Sequence, residues 1–139
     1  MSSARLYNAE LLGLATSLAS YPLSDSLYLR GAARSPTCGS VVEVGLSLDD
    51  RDTISRIGVK AQACAVGQAA AAIFAAQAGG RSETDIAAAL REIDAWLAGG
   101  ALPDWPGFAA IAAARDYPAR HGAILLAWRA ALVAFAARG

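Results

Sequence analysis

Ser40-Val41-Val42-Glu43-Val44-Gly45-Leu46-Ser47-Leu48, then Asp49-Asp50-Arg51-Asp52, then Thr53-Ile54-Ser55-Arg56-Ile57-Gly58-Val59-Lys60-Ala61, runs as two apolar segments about an acidic centre. In its first part Val42, Val44, Leu46 and Leu48 point one way, and Val41, Glu43, Gly45 and Ser47 the other. That is the period of two of a strand with one buried face. The acidic run is a polar turn, and Thr53 to Ala61 is the returning strand, with Ile57, Val59 and Ala61 on one face. Ile54 is out of phase with them, which predicts a bulge or a late strand start. The two strands form an antiparallel hairpin. Leu27-Tyr28-Leu29 is a short candidate third strand at the sheet edge.

Outside the hairpin the pattern is helical. Leu6, Leu11, Leu14, Ala15 and Leu18 form a stripe that ends at Tyr21-Pro22, because proline cannot continue a helix. Cys64 to Ala78 is alanine-rich and free of proline, and Gly79-Gly80 ends it. Ser82 with Asp85 reads as a capping box for a helix through Leu97. A short helix from Gly107 to Arg115 follows the rigid Pro103–Pro106 loop, and Pro118 opens a last helix to Ala137. One helix, then strands, then helices in a run is the order of an α+β domain, with helices on one face of a small antiparallel sheet. At 139 residues the whole chain, 1–139, reads as one domain.

Composition excludes several classes. The chain is 55% hydrophobic and 17% charged, so it is not a disordered linker. Twelve basic and twelve acidic residues cancel, and Lys60 is the only lysine. No basic stripe points to nucleic acid. No uninterrupted apolar run approaches the roughly 18 residues of a membrane span. Leu11 to Ala15 resembles a weak secretory core, but Asn8 and Glu10 interrupt the approach to it, so a cytoplasmic amphipathic helix is the better reading. No nucleophile–base pair or phosphate loop is present, which argues against an enzyme. The Asp49–Asp52 run lacks the central glycine and trailing glutamate of a calcium loop. Trp96 and Trp128 read as core, whereas Trp105, between two prolines, reads either as loop packing or as a partner anchor.

The candidate chemistry lies in two cysteines, Cys38 and Cys64. Cys38 sits between Pro36 and the first hairpin strand, with Gly39 removing a Cβ beside the thiol. Cys64 opens a helix, where the positive end of the macrodipole favours thiolate. A hairpin brings its outer ends together, so the two thiols become neighbours and supply half of a tetrahedral zinc or iron–sulfur site. Buried packing cysteines are the alternative.

Leu6-Tyr7-Asn8, the Ser35-Pro36-Thr37-Cys38-Gly39 turn, the hairpin, and Ala63-Cys64-Ala65 opening an alanine-rich helix resemble, in this order, the IscU/NifU-type scaffolds of iron–sulfur cluster assembly. Tyr117-Pro118-Ala119-Arg120 followed by Leu125-Leu126-Ala127-Trp128 resembles the SufU branch. The resemblance implies a scaffold that takes iron, and persulfide sulfur from a cysteine desulfurase, to build a [2Fe–2S] cluster. In the SufU branch it implies a zinc-bound sulfur acceptor. Such proteins use three cysteines and an aspartate two residues after the first. Cys38 and Cys64 match, but Ser40 stands at the aspartate and Ala123 at the third cysteine.

His121, the only histidine, lies two residues before Ala123. In an irregular turn its imidazole swings into the site as a third metal ligand. In a regular helix two positions correspond to about 200° of rotation, and the ring points away. Ser40 offers either a hydroxyl to the metal or a hydrogen bond to its own turn. The expected function is a cytoplasmic scaffold-like protein binding a cluster, iron or zinc through Cys38 and Cys64, with His121 as further candidate ligand. The alternatives are a degenerate interaction or regulatory module that holds no cluster, and a persulfide relay.

Overall fold

The alternating stretch folds into two antiparallel strands, β2 (Val41–Leu48) and β3 (Ile54–Gln62), in a computed structural model that describes residues 7–36 and 38–138. Val42, Val44 and Leu46 are fully buried, as their phase requires. The out-of-phase Ile54 marks a bulge: Ser47 faces Arg56 and Leu48 faces Ile54, which leaves Ser55 as the extra residue. The bulge turns Ile54 into the core. The acidic run is a hydrogen-bonded turn. Asp49 accepts from the backbone N–H of Arg51 (2.9 Å) and Thr53 (3.0 Å) and from the Thr53 hydroxyl (2.6 Å). The Thr53 hydroxyl foremost, then these backbone groups, holds the Asp49 carboxyl below its ordinary range.

The third strand lies further along than Leu27-Tyr28-Leu29. Strand β1 is Leu29–Arg34 and pairs antiparallel with β2 from Leu29↔Leu46 to Arg34↔Val41, giving the order β1-β2-β3. Gly31 explains why so weakly apolar a segment belongs there. A Cβ at Gly31 would run into the backbone of Ala130 and Ala134, so strand and helix meet only because that side chain is missing. Leu27 is buried in a loop, 21–28, that crosses the outer face of the sheet. A Cβ at Gly45 would meet Leu23 and Leu27, and one at Gly58 would meet Pro22 and Leu27. Arg30 donates to the carbonyls of Leu27 (2.8 Å) and Ser24 (2.6 Å), and Arg56 donates to Ser26 Oγ (2.9 Å). The loop is thereby strapped down.

Helices occupy the other face. Helix α1 (Ala9–Ser17) is capped by Asn8, whose side chain accepts from Leu11 N–H at 2.8 Å, and ends in a 3-10 turn before Tyr21. Leu6, placed in this helix from sequence, lies outside the described residues. Helix α2 is Ala65–Gln77, and α3 (Glu83–Leu97) starts with the expected Ser82–Asp85 capping box. The segment expected as a short helix is a run of 3-10 turns, Phe108–Asp116, kinked at Ile111. The last helical run comes in pieces: a 3-10 turn at Pro118–Arg120, then α4 (His121–Ile124) and α5 (Leu126–Ala136). Pro118–Ala136 is long and apolar enough to cross a membrane by length and composition, but 56% of its apolar window is buried within the protein. It packs on β1 and β2 as a core element.

Rings fill the space between α2, α3 and α5. Phe74 stacks on Trp105 at 5.7 Å, and Trp128 meets Phe74, Trp105 and Phe108 at 5.3 to 5.4 Å. Trp105 is buried and donates its indole N–H to Ile73 O at 3.0 Å, so it is loop packing and not an exposed partner anchor. The outer edge of β3 is tied at three points: Ile54 N–H to Arg81 O (2.9 Å), Gly80 N–H to Ile54 O (2.8 Å) and Val59 N–H to Tyr21 O (2.8 Å).

Candidate functional site

The β2–β3 ladder closes with the pair Val41↔Gln62. Cys38 precedes that pair by three residues and Cys64 follows it by two, so both thiols leave the same end of the sheet.

Cys38 sits in a turn closed by Ser35 N–H to Ser40 O and by Gly39 N–H to Ser35 O, both 2.9 Å. Gly39 adopts φ 72°, a left-handed conformation that costs glycine little. Ser35 and Ser40 are 1% and 5% exposed, whereas the cysteine between them is exposed. In the neutral state the Cys38 thiol donates to Ser40 Oγ at 3.2 Å, and in the thiolate state the same hydroxyl donates to the sulfur. Hydrogen bonds from the Ser35 hydroxyl first, then the Ser40 hydroxyl and backbone, hold this thiol below its ordinary range against weak desolvation. Ser40 therefore turns its hydroxyl to the sulfur. Ser35 has the same role, and sequence reading passed over it: a serine before proline looks like any turn residue.

Cys64 is the N-cap of α2, half-buried, with extended backbone (φ −63°, ψ 170°) and no side-chain cap bond. The first turn of α2 lies against α4. A Cβ on Gly67 would sit 2.8 Å from that of Ala63 and 3.1 Å from that of Ala123. Ala123 is 1% exposed, so the position where the resemblance puts a third thiol is beside the helix that Cys64 caps, filled by a methyl group.

His121 begins α4 with helical backbone (φ −58°, ψ −43°). Its Nε2 lies 2.7 Å from Arg115 O. A carbonyl only accepts, so this bond fixes the proton on Nε2 in the neutral ring and leaves Nδ1 as the lone-pair nitrogen. Among the described residues no group of three or more His, Cys, Asp and Glu side chains converges to hold a metal ion. The donor set at this end consists of two thiols, with the Ser35 and Ser40 hydroxyls already turned to Cys38.

No family profile matches the sequence, and no curated protein does. Solved structures do match. The N-terminal NifU-like protein from Brucella abortus is 26% identical, with a TM-score of 0.82 over 93% of this chain and 91% of its own. The protein described as the iron–sulfur cluster assembly scaffold of the SUF system (FiSufU) from thermophilic Fervidobacterium islandicum is 17% identical. Its TM-score is 0.83 over 96% of this chain and 99% of its own.

Proposed function

We propose that this chain, which has the IscU/NifU-type fold, works in cytoplasmic iron–sulfur cluster assembly as a scaffold-like protein that meets its cargo through Cys38 and Cys64. It carries and does not catalyse. The observation that supports this best is the shared sheet end. One exposed thiol lies before β2 and one half-buried thiol lies at the N-cap of α2, with Ala123 against the first turn of that helix. Two thiolates are half of a tetrahedral set, so a [2Fe–2S] cluster, iron or zinc held here draws its remaining coordination from solvent, from His121 through Nδ1, or from another protein. The sulfur donor in this reading is a cysteine desulfurase.

Anaerobic isolation followed by reconstitution with iron and sulfide, read by absorption and metal analysis, tests the proposal. The expected product holds iron weakly and loses it when either cysteine is replaced. A colourless, metal-free product from protein that was also isolated without metal would overturn it. The lost donors at Ser40 and Ala123 favour a second reading, a docking or regulatory module without cargo. Metal-free protein that still co-purifies with the desulfurase would select it.

A further inference from the structure

The outer face of the sheet is only half covered. Register aligns Arg30, Gly45 and Gly58 in one row, Ala32, Glu43 and Lys60 in the next, and Arg34, Val41 and Gln62 in the last. The 21–28 loop lies over the glycine row. In the other two rows Ala32, Arg34, Lys60 and Gln62 are exposed and Val41 and Glu43 half-buried. Val41, Glu43, Lys60 and Gln62 line a shallow hollow of about 200 Å³.

This face also concentrates charge. Among the strand residues Arg30, Arg34, Arg56 and Lys60 share it with one carboxylate, Glu43, whose Oε2 lies 3.7 Å from Arg30 Nη1, and the loop over the glycine row adds the exposed Asp25. Arg30 and Arg56 are engaged in holding the loop. Arg34 and Lys60 make no ion pair within 4.0 Å among the described residues. The chain as a whole is neutral, and four of its twelve acidic residues, Glu83, Asp85, Glu92 and Asp94, lie on α3, away from the open rows.

We infer that the open half of this face is a docking surface for an acidic protein surface, that of the sulfur donor serving Cys38 and Cys64; the partner's identity rests on the function proposed for the chain. The row Arg34–Val41–Gln62 is where β1 and β2 flank the Cys38 turn and β3 leads to Cys64. A protein seated there stands next to both thiols. Ala32 and Val41 keep the surface low, so partner carboxylates reach Arg34 and Lys60 directly. Complementary charge of this kind steers encounter and fixes register. Four cations with Glu43 among them and Asp25 on the adjoining loop are too sparse for a phosphate backbone, which favours contiguous positive charge.

The test is the affinity of the full chain for the cysteine desulfurase of the same organism, measured by calorimetry at low and high salt. Partners for comparison are Arg34→Glu/Lys60→Glu, the neutral Arg34→Gln/Lys60→Gln, and Asp94→Lys on α3. The reversed pair is expected to bind about tenfold more weakly or worse at low salt, with much of the salt dependence gone. The neutral pair should fall between it and the native chain, and Asp94→Lys should bind like the native chain. Melting curves check the fold, and the neutral pair carries the test if the reversed pair does not fold. Equal binding by native and variant chains would overturn the surface and leave the proposed function standing. Failure of the native chain to bind the desulfurase would remove the proposed partner, and the inference with it. Native binding to a short DNA duplex that the reversed pair loses would assign the face to polyanions and overturn the inference.

Discussion

On the helix side of the sheet Phe74, Trp96, Trp105, Phe108 and Trp128 pack ring against ring, none more than 4% exposed. At the thiol end Cys38 stands exposed in a turn held by two buried serines, and Ala123 fits beneath a glycine. The first region is held by area, spread over many contacts and felt in stability. The second is held by a few directed bonds and close approaches, and its failure is felt in chemistry. Single replacements should separate the two.

The largest effect is expected at Trp128. Trp128→Ala removes a fully buried ring that touches three others and should cost about 3–5 kcal/mol, lowering the melting temperature by roughly 10 °C or more. A loss of less than about 1 kcal/mol in chemical denaturation would contradict the division of labour. Gly31→Val comes next. It drives a branched side chain into the α5 backbone and should cost about 1–3 kcal/mol in the same assay.

At the thiol end the scale inverts. Cys38→Ser and Cys64→Ser should leave stability within about 1 kcal/mol while iron retained after anaerobic reconstitution falls several-fold. Ala123→Cys should raise retention, because it adds a thiol against the first turn of the helix that Cys64 caps. Retention unaffected by all three would place the cargo elsewhere. Ser40→Ala should change neither fold nor metal-free stability greatly, but it should alter the pH profile of Cys38 alkylation. Hydroxyl donors favour thiolate and put the rise in rate below the ordinary thiol range, so removing one moves the rise to higher pH. An unmoved midpoint would mean that Ser35 and the backbone suffice.

The smallest effect belongs to the turn far from the thiols. Asp49 has a lowered pKa in the folded state, so its bonds add stability at neutral pH that is lost as pH falls through that lowered value. Asp49→Asn should be slightly less stable than the native chain at neutral pH, and the gap should close on acidification below the ordinary carboxylate range. A gap independent of pH would show that the turn is held by the neutral side chain as well.

What sequence could reveal follows the same division. A strand buried on one face must alternate, so β2, the phase of β3 and even the bulge at Ile54 were readable, as was the capping box of α3. Strand β1 was not, because Arg30-Gly31-Ala32-Ala33-Arg34 has no apolar alternation and is recruited by the closeness of α5. The alanine run before Asp116 carries no phase, which hid its 3-10 form. The cysteines could be located by their places at the hairpin ends and by resemblance. The partners of the site residues could not. The acceptor for His121 is a backbone carbonyl, which every residue offers, and the orientation of Ser35 is set by a turn that exists only once the strands have paired.

The three loop bonds along the outer edge of β3 bear on how this molecule behaves in a crowd. A bare strand edge is a template on which another chain can lay its own strand and begin a growing aggregate. Here the Val59 N–H and both backbone groups of Ile54 are already taken by the chain's own loops, and charged Lys60 stands beside Val59. The β3 edge is thereby guarded against edge-on polymerisation, and cutting the chain near Tyr21 would lift part of that guard.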